Sequence, residues 1–485
     1  ASSTECGKPR GTPLSDFDAV VVGSGPNGLS AAATLARTGR KVLVIEGSDT
    51  VGGGTRTEEL TLPGFRHDVC SAFHPLAKGS PFLSLLPLAE HGLEWIQPPA
   101  PLGHAISPGR SVILENDIAA TAAGLGLDGA TYHRLMTRWA SRWPQLSEHI
   151  LGPLVGIPKH PLTVARFGLN SIVSSDFTTR HRFDTVEGRA LFAGCAAHAF
   201  LPLTHPLSAS FGWLLMLTGH VFGWPIARGG SQSIADALVS YISSLGGVIE
   251  TGTMVGDLAD IPSTPITILD VTPSAFASMA GDRLSSGYVR RVKRFRHGPA
   301  AFKVDYAVDQ AIPWADPELH RAGTVHIGGT DADINRAETS TYRGRVAPDP
   351  FVLVGQQSLF DSTRAPEGQH TVWAYAHVPH GSKQDFTEVI TRRIEELAPG
   401  FSETILATHV FSPADLERRN PNYVGGDISG GAHSATQMIF RPFAQTNPYT
   451  TPIDGVYLGS SSTPPGGGSH GMCGHQAATT ALARA

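Results

Sequence analysis

The short apolar run Phe17 to Val22 leads directly into Gly23-Ser24-Gly25-Pro26-Asn27-Gly28, and no other junction constrains the fold of this chain as tightly. An unbroken run rich in β-branched residues marks a strand buried on both faces of a parallel sheet. After the glycines, alanine at 31, 32, 33 and 36 favours a helix over Leu29 to Thr38 that stops at Gly39. A second strand, Lys41 to Ile45, then ends in Glu46. Strand, glycine turn, helix, strand and acid in this order are the fingerprint of a dinucleotide site. Gly23 permits the tight turn, Gly25 lets the backbone approach a pyrophosphate, and Gly28 allows close helix-to-strand packing. The helix N-terminus faces the phosphate charge. Glu46, 23 residues after the first glycine, stands where a carboxylate accepts from both ribose hydroxyls.

A second glycine cluster, Gly52-Gly53-Gly54-Thr55-Arg56, follows closely. A nicotinamide site gives no reason for it. An extended flavin dinucleotide needs further backbone approach near its ribityl and ring end, so FAD is favoured over NAD. Near mid-chain, Ile226-Ala227-Arg228-Gly229-Gly230 precedes a helix over Ser231 to Leu245, with Ser231 as its expected N-cap. A strand over Val248 to Thr251 follows, and Thr253 to Val255 should pass beside the adenine. At the C-terminus, a turn and strand over Pro452 to Gly459 precede a loop from Ser460 to Ser469 and a helix over Gly471 to Ala485. The run Gly466-Gly467-Gly468 would turn backbone N–H groups toward an anion such as a reduced flavin.

Composition narrows the rest. At 485 residues the chain exceeds what one core serves, so two or more structural units are expected. Charged residues are only 16% and the formal charge is −5, with basic residues clustered only over Arg290 to Arg296. That gives little footprint for a nucleic acid. Cys6, Cys70, Cys195 and Cys473 are scattered without metal-ligand spacing, so neither a metal site nor a disulfide framework is expected. Residues 1–15 read as a polar tail without signal-peptide order, which points to a cytoplasmic protein; the missing initial Met leaves trimming open. The apolar window Phe200 to Ile226 is broken by prolines and histidines and makes a poor membrane span.

The glycine blocks resemble the FAD-dependent phytoene dehydrogenase-related family, which includes carotenoid desaturases, isomerases and retinol saturases, within the wider amine-oxidase-like flavoproteins. Within that family the chain looks similar to the subgroup containing pyridine nucleotide-disulfide oxidoreductase domain-containing protein 2. The resemblance is carried by VVVGSGPNGLSAAATLARTGRKVLVIE (20–46), VGGGTRTEELTLPGF (51–65), WPIARGGSQSIADALVSYISSLGGVIETGTMV (224–255) and RPFAQTNPYTTPIDGVYLGSSSTPPGGGSHGMCGHQAA (441–478). It implies that the turn Gly23, Gly25, Pro26, Asn27 and Gly28 meets the pyrophosphate and Glu46 the ribose. It implies further that Gly53, Gly54 and Thr55 line the flavin side and that Val255 contacts adenine. Gly459 and Ser460 would sit by the pyrophosphate and ribityl chain, and Gly467, Gly468 and Met472 against the isoalloxazine. Gly54 stands where carotenoid desaturases usually have Arg, which weakens the transfer of carotenoid specificity.

The expected fold is α/β: a Rossmann-like FAD-binding domain from roughly 15–75, 225–285 and 425–485, with an inserted α+β substrate domain from 76–224 and 286–424. In the insertions, His104 to Leu114 reads as a hairpin turning at Pro108-Gly109, Gly129 to Ile150 as helical, Ala301 to Val308 and Phe351 to Ser358 as strands, and Asp385 to Leu397 as a surface helix. The apolar cluster between Phe200 and Trp224 reads as core first, and otherwise as a substrate tunnel or a peripheral membrane contact.

With FAD bound, oxidation means hydride transfer from a substrate carbon to flavin N5, and the protein handles one proton. His470 and His475 flank the flavin-facing turn and are the expected proton acceptors. Cys473 is expected to pack rather than react. The expected reaction is C–C dehydrogenation of a hydrophobic small molecule, with oxygen or a quinone as open choices of electron acceptor. An amine oxidase forming C=N bonds shares the nucleotide domain, although no aromatic pair stands out in the sequence. Rab GDP-dissociation inhibitors also share the architecture, as binding modules without flavin catalysis; Glu46 and the run Gly466 to Gly468 weigh against that class.

Overall fold

The computed structural model describes residues 16–485. The expected polar tail at 1–15 and Cys6 lie outside the described residues.

Two sheets organise the chain. The first is five-stranded and wholly parallel, in the order Val456–Leu458, Ile266–Leu269, Ala19–Val22, Val42–Ile45, Val248–Glu250. The central strand Ala19–Val22 is buried along its length because it is flanked on both sides and covered on both faces. Helices Pro26–Ala36, Gln232–Ser244 and Met472–Leu482 pack together against one face. Helix Pro273–Ala280 covers the other. The strands come from three separate segments of the chain, which brings Gly23, Gly53 and Gly468 to one cavity beside the sheet. This is the Rossmann-like arrangement expected from the sequence.

The second sheet has seven strands, in the order Ile405–Phe411, Ala300–Val308, His370–Val378, Val352–Gly355, Ala322–Ile327, Ala100–Ser107, Arg110–Leu114. Its one parallel pairing joins Ala322–Ile327 to Ala100–Ser107, so strands from both insertions share it. Alternation divides its faces. Val372, Ala374, Ala376 and Val378 face helix Thr387–Glu395, whose Ile390 and Ile394 complete a core there. Trp373, Tyr375 and Leu353 face the opposite way, toward the first sheet.

Several local expectations hold closely. The hairpin turns at Pro108-Gly109, with Gly109 at φ +69°, and helices Gly129–Ala140 and Trp143–Ile150 fill the predicted helical stretch. The strand expected over Phe351 to Ser358 stops at Gly355, because the chain turns into a 3-10 helix at Gln357–Leu359. There Gln356 Oε1 accepts the Ile312 N–H at 3.2 Å, a bond a continued strand would forgo. Ser231 precedes its helix without capping it: its hydroxyl donates to Ser71 O at 2.6 Å. The apolar stretch 200–224 is core in the main, with Leu201, Trp213, Met216 and Leu217 sealed and Phe211, Leu214, Val221 and Phe222 half-buried. Among the described residues, no helix is long and apolar enough to cross a membrane.

Candidate cofactor and substrate cavity

A cavity of about 580 Å³ runs from the glycine turn to the inner face of the seven-stranded sheet. At its first end, Glu46 organises the turn. Glu46 Oε2 accepts from Ser24 N at 2.8 Å and Ser24 Oγ at 2.6 Å, and Oε1 accepts from Ser48 N at 2.9 Å. Arg56 lies 3.3 Å from Oε1, so the carboxylate is fixed in place from both sides. The main chain of Glu46 accepts from Thr253 N, which brings Thr253, Met254 and Val255 to the same wall. Gly53 crosses the turn so closely that a Cβ there would lie 3.0 Å from Gly25 Cα.

The structure brings Gly23, Gly25, Pro26, Asn27, Glu46, Gly53, Gly54, Thr55, Val255, Ser460 and Gly468 to this one cavity. Six expected residues lie elsewhere. Gly28 packs helix on strand, since a Cβ there would meet Gly23 O at 2.0 Å. Gly459 sits beneath Ala477 and Gly474 of the last helix, and Gly467 abuts Ser429 O. Met472 is buried in the helix core. His470 Nδ1 accepts the Met472 N–H at 3.0 Å and is sealed. His475 contacts Thr34 at 2.9 Å and stacks on Phe82, in the packing between helices. Neither histidine lines the cavity, because the last helix begins one residue after Gly471 and turns this stretch into its base. Cys473 packs as expected, its Sγ 3.4 Å from Thr463 O and Gly466 O.

The three glycine-bearing blocks are tied by a histidine that sequence reasoning missed. His74 contacts Ser469 Oγ at 3.0 Å through Nδ1 and Ser231 Oγ at 2.8 Å through Nε2. Burial lowers its pKa to about 4, so it is neutral and bridges as a hydrogen-bonding group. Asp270, at the end of strand Ile266–Leu269, accepts the Gly28 N–H at 3.0 Å. Burial raises its carboxyl to about 7, with Glu46 adding to the effect against the Gly28 bond.

These residues fit a dinucleotide. The turn crowds positions 23 and 53, where a Cβ would lie 3.1 Å from Asp270 Cβ and 3.0 Å from Gly25 Cα, and the buried Asn27 Oδ1, on the cavity wall, has no hydrogen-bond partner within the protein.

The far end of the cavity is apolar. Leu76, Leu215, Trp224, Leu353, Trp373 and Tyr375 supply most of it, with His198, Thr324 and Cys70 as polar exceptions. Trp373 and Tyr375 stand at 74° with centroids 5.0 Å apart, and Trp373 Nε1 donates to Cys70 O at 3.1 Å. An aromatic wall is therefore present where the sequence showed none. Its signal was the alternation of Trp373 and Tyr375 in an otherwise small, apolar strand. His198 carried no local signal, since it reaches the cavity through the placement of a whole helix.

Fold and cavity define a two-domain nucleotide-binding architecture, with a Rossmann-like domain opening on a sheet-based second domain. Residues 21–85 match the family model of an NAD(P)-binding Rossmann-like domain. The chain is 26% identical to mouse pyridine nucleotide-disulfide oxidoreductase domain-containing protein 2, over 96% of this chain and 93% of the relative. It is also 26% identical to a phytoene dehydrogenase of Streptomyces griseus, over 92% and 91%. The homologues thus include the phytoene dehydrogenases that the motifs resemble, and the likeness spans nearly the whole chain. Among solved structures, an oxidoreductase from Methanosarcina mazei superposes with a TM-score of 0.64 at 17% identity, over 96% and 99%. Wild-type putrescine oxidase bound to putrescine gives 0.60 at 18%, again over 96% and 99%. These two share the fold.

Proposed function

We propose that the chain is an FAD-dependent oxidoreductase that removes hydride from a hydrophobic small molecule at a C–C bond. The observation that carries this reading is the division of the cavity: three of its four charged lining groups, Glu46, Arg56 and Asp270, belong to the nucleotide end, and its far end is walled by apolar and aromatic side chains. Gly23, Gly25, Asn27, Glu46 and Ser460 would hold the adenosine and pyrophosphate; Gly53, Gly54, Thr55 and Gly468 would lie along the ribityl and ring end. Bound there, a flavin supplies a hydride acceptor. The chain's own residues then bind the substrate by apolar contact, orient it against Trp373 and Tyr375, and exclude water. FAD rather than a nicotinamide is favoured by the second glycine crossing at Gly53 and by the span of the cavity from Glu46 to Gly468.

The test is the visible spectrum of the purified protein, followed by denaturation and identification of what is released. Oxidised-flavin bands with FAD set free are expected. A colourless protein that FAD cannot reconstitute overturns the reading and returns weight to a non-catalytic binding module. The aromatic wall of Trp373 and Tyr375 favours one second reading, oxidation of an amine. Peroxide release with amines, and no bleaching by polyenes or other unsaturated hydrocarbons, selects it.

A further inference from the structure

One helix of the first insertion turns an apolar stripe outward. Helix Pro161–Ser171 buries Phe167 and Ser171, and the Trp213 indole N–H donates to Asn170 O at 3.0 Å, which fixes it on helix Ser208–Phe222. Leu162 and Leu169 are two turns apart and so on one side of the helix. They are 73% and 70% exposed, and Ile172 follows at the helix end at 53%. The chain on either side adds to this surface: Leu154, Val155, Ile157 and Phe177 are exposed, Ile157 almost completely. Of the seventeen exposed large apolar side chains among the described residues, seven lie within residues 154–177. Such a concentration is unlike the single exposed apolar residues of an ordinary surface.

The charges around the stripe are mostly of one sign. Residues 154–182 carry Lys159, Arg166, Arg180 and Arg182 against Asp176 alone, in a chain whose formal charge is −5. Lys159 pairs with Glu148 at 2.6 Å and Arg180 with Asp176 at 2.9 Å. Arg166 and Arg182 have no carboxylate within salt-bridge distance among the described residues. Arg166 stands four residues after Leu162 and three before Leu169, so it borders the stripe directly. We propose that this face docks on an anionic lipid bilayer, with helix Pro161–Ser171 lying in the headgroup plane, Leu162, Leu169 and Ile172 in the acyl boundary, and Arg166 and Arg182 against lipid phosphates. Apolar side chains on one side of a helix with cations beside them are what such a surface holds, by buried area and by attraction to anionic lipid together. A second copy of the chain would instead set this basic rim against itself.

The contact is peripheral, since no described helix is long and apolar enough to cross a membrane. On the oxidoreductase reading above, the docking also has a use. Helix Ser208–Phe222 carries Trp213, bonded to Asn170 of the docked helix, and Leu215, which lines the apolar end of the cavity. Two residues apart, they point to roughly opposite sides of that helix. A protein docked in this way holds the apolar end of its cavity one helix away from the phase in which a hydrophobic small molecule dissolves.

Co-sedimentation of the full chain with lipid vesicles tests the docking without any substrate. The native protein should pellet with vesicles of equal parts phosphatidylcholine and phosphatidylglycerol, less with phosphatidylcholine alone, and less again as salt rises. Leu162→Glu combined with Leu169→Glu should lower the partition coefficient about tenfold or more. Its melting temperature should stay near that of the native protein, because both side chains already face water. Leu406→Glu, 45% exposed on the edge strand Ile405–Phe411, should leave vesicle binding unchanged. Absence of pelleting with the mixed vesicles overturns the proposal. So does binding that the paired leucine substitution leaves intact, or that Leu406→Glu reduces equally. Self-association that the same pair abolishes, in place of vesicle binding, assigns the face to a second copy and overturns the lipid assignment. Flavin content, read separately in the visible spectrum, tests the functional reading, so the failure of one is distinguishable from the failure of the other.

Discussion

The hydroxyl of Tyr423 lies 2.1 Å from the point where a Cβ on residue 54 would sit. The arginine that carotenoid desaturases usually carry at this place therefore has no room here, and Tyr423 fills the space on the cavity wall. The departure noted at Gly54 is matched by a tyrosine from the far end of the chain.

Gly54→Ala should accordingly lower the melting temperature, by overpacking worth about 1–3 kcal/mol. Tyr423→Phe removes the clashing oxygen, so the double variant should recover part of the loss. A thermal-denaturation cycle over the four proteins measures it, and strict additivity would show that the two residues do not compete for one space.

The glycines of the turn separate into two kinds. Gly25→Ala places a methyl on the cavity wall, 3.0 Å from Asp270 Oδ2, and should cost cofactor content far more than stability. Gly28→Ala drives a methyl into Gly23 O, buried backbone that has no easy retreat, and should lower stability itself. Released cofactor per mole and apo-protein melting temperature, measured side by side, distinguish the two.

Arg364 and Asp68 form a buried pair at 2.6 Å, with Asp361 Oδ2 3.3 Å from Arg364 Nε. Burial pushes the Asp68 carboxyl up, but the Arg364 guanidinium together with the bonds from Ser231 N and the Thr57 hydroxyl outweighs it, and the net displacement is downward. Asp68 also accepts from Ser231 N and Asp361 from Gly229 N, so the cluster ties the mid-chain block to strand Arg66–Asp68 and to the turn that precedes strand His370–Val378. Arg364→Ala should destabilise by about 3–5 kcal/mol, because two carboxylates lose their counter-charge without gaining water. Urea denaturation of the variant gives the figure.

Asp270 introduces a pH dependence of definite sign. Its carboxyl titrates near 7 in the folded protein, against 3.8 ordinarily. Between those values the folded state holds more protons than the unfolded one, so this group's contribution falls as pH rises from about 4 to 7. Asp270→Asn should remove that slope, and the variant should gain on the native protein as pH rises through the window. On the proposed reading it should also bind FAD more tightly above pH 7, where the native carboxylate would face the pyrophosphate. Melting temperature and FAD titration at pH 5 and 8 check both; an equal effect at the two values would count against the assignment.

What the sequence by itself determined is the nucleotide end. Buried parallel strands, a helix start and backbone crossings each demand particular residues at fixed spacing, and Gly23, Gly25, Glu46 and Gly53 are legible for that reason. The final block shows the limit: its helix and glycines were readable, but which of them would face the cavity depended on where the helix begins, and that turned His470, His475 and Met472 into its base and core. The apolar end of the cavity was decided only by tertiary structure. Thr324, Leu353, Trp373 and Tyr375 meet there because strands from distant segments pair in one register, with a face chosen by alternation. Local spacing encodes contacts with the chain's own backbone; a pocket built from one side chain per element leaves no such periodic trace.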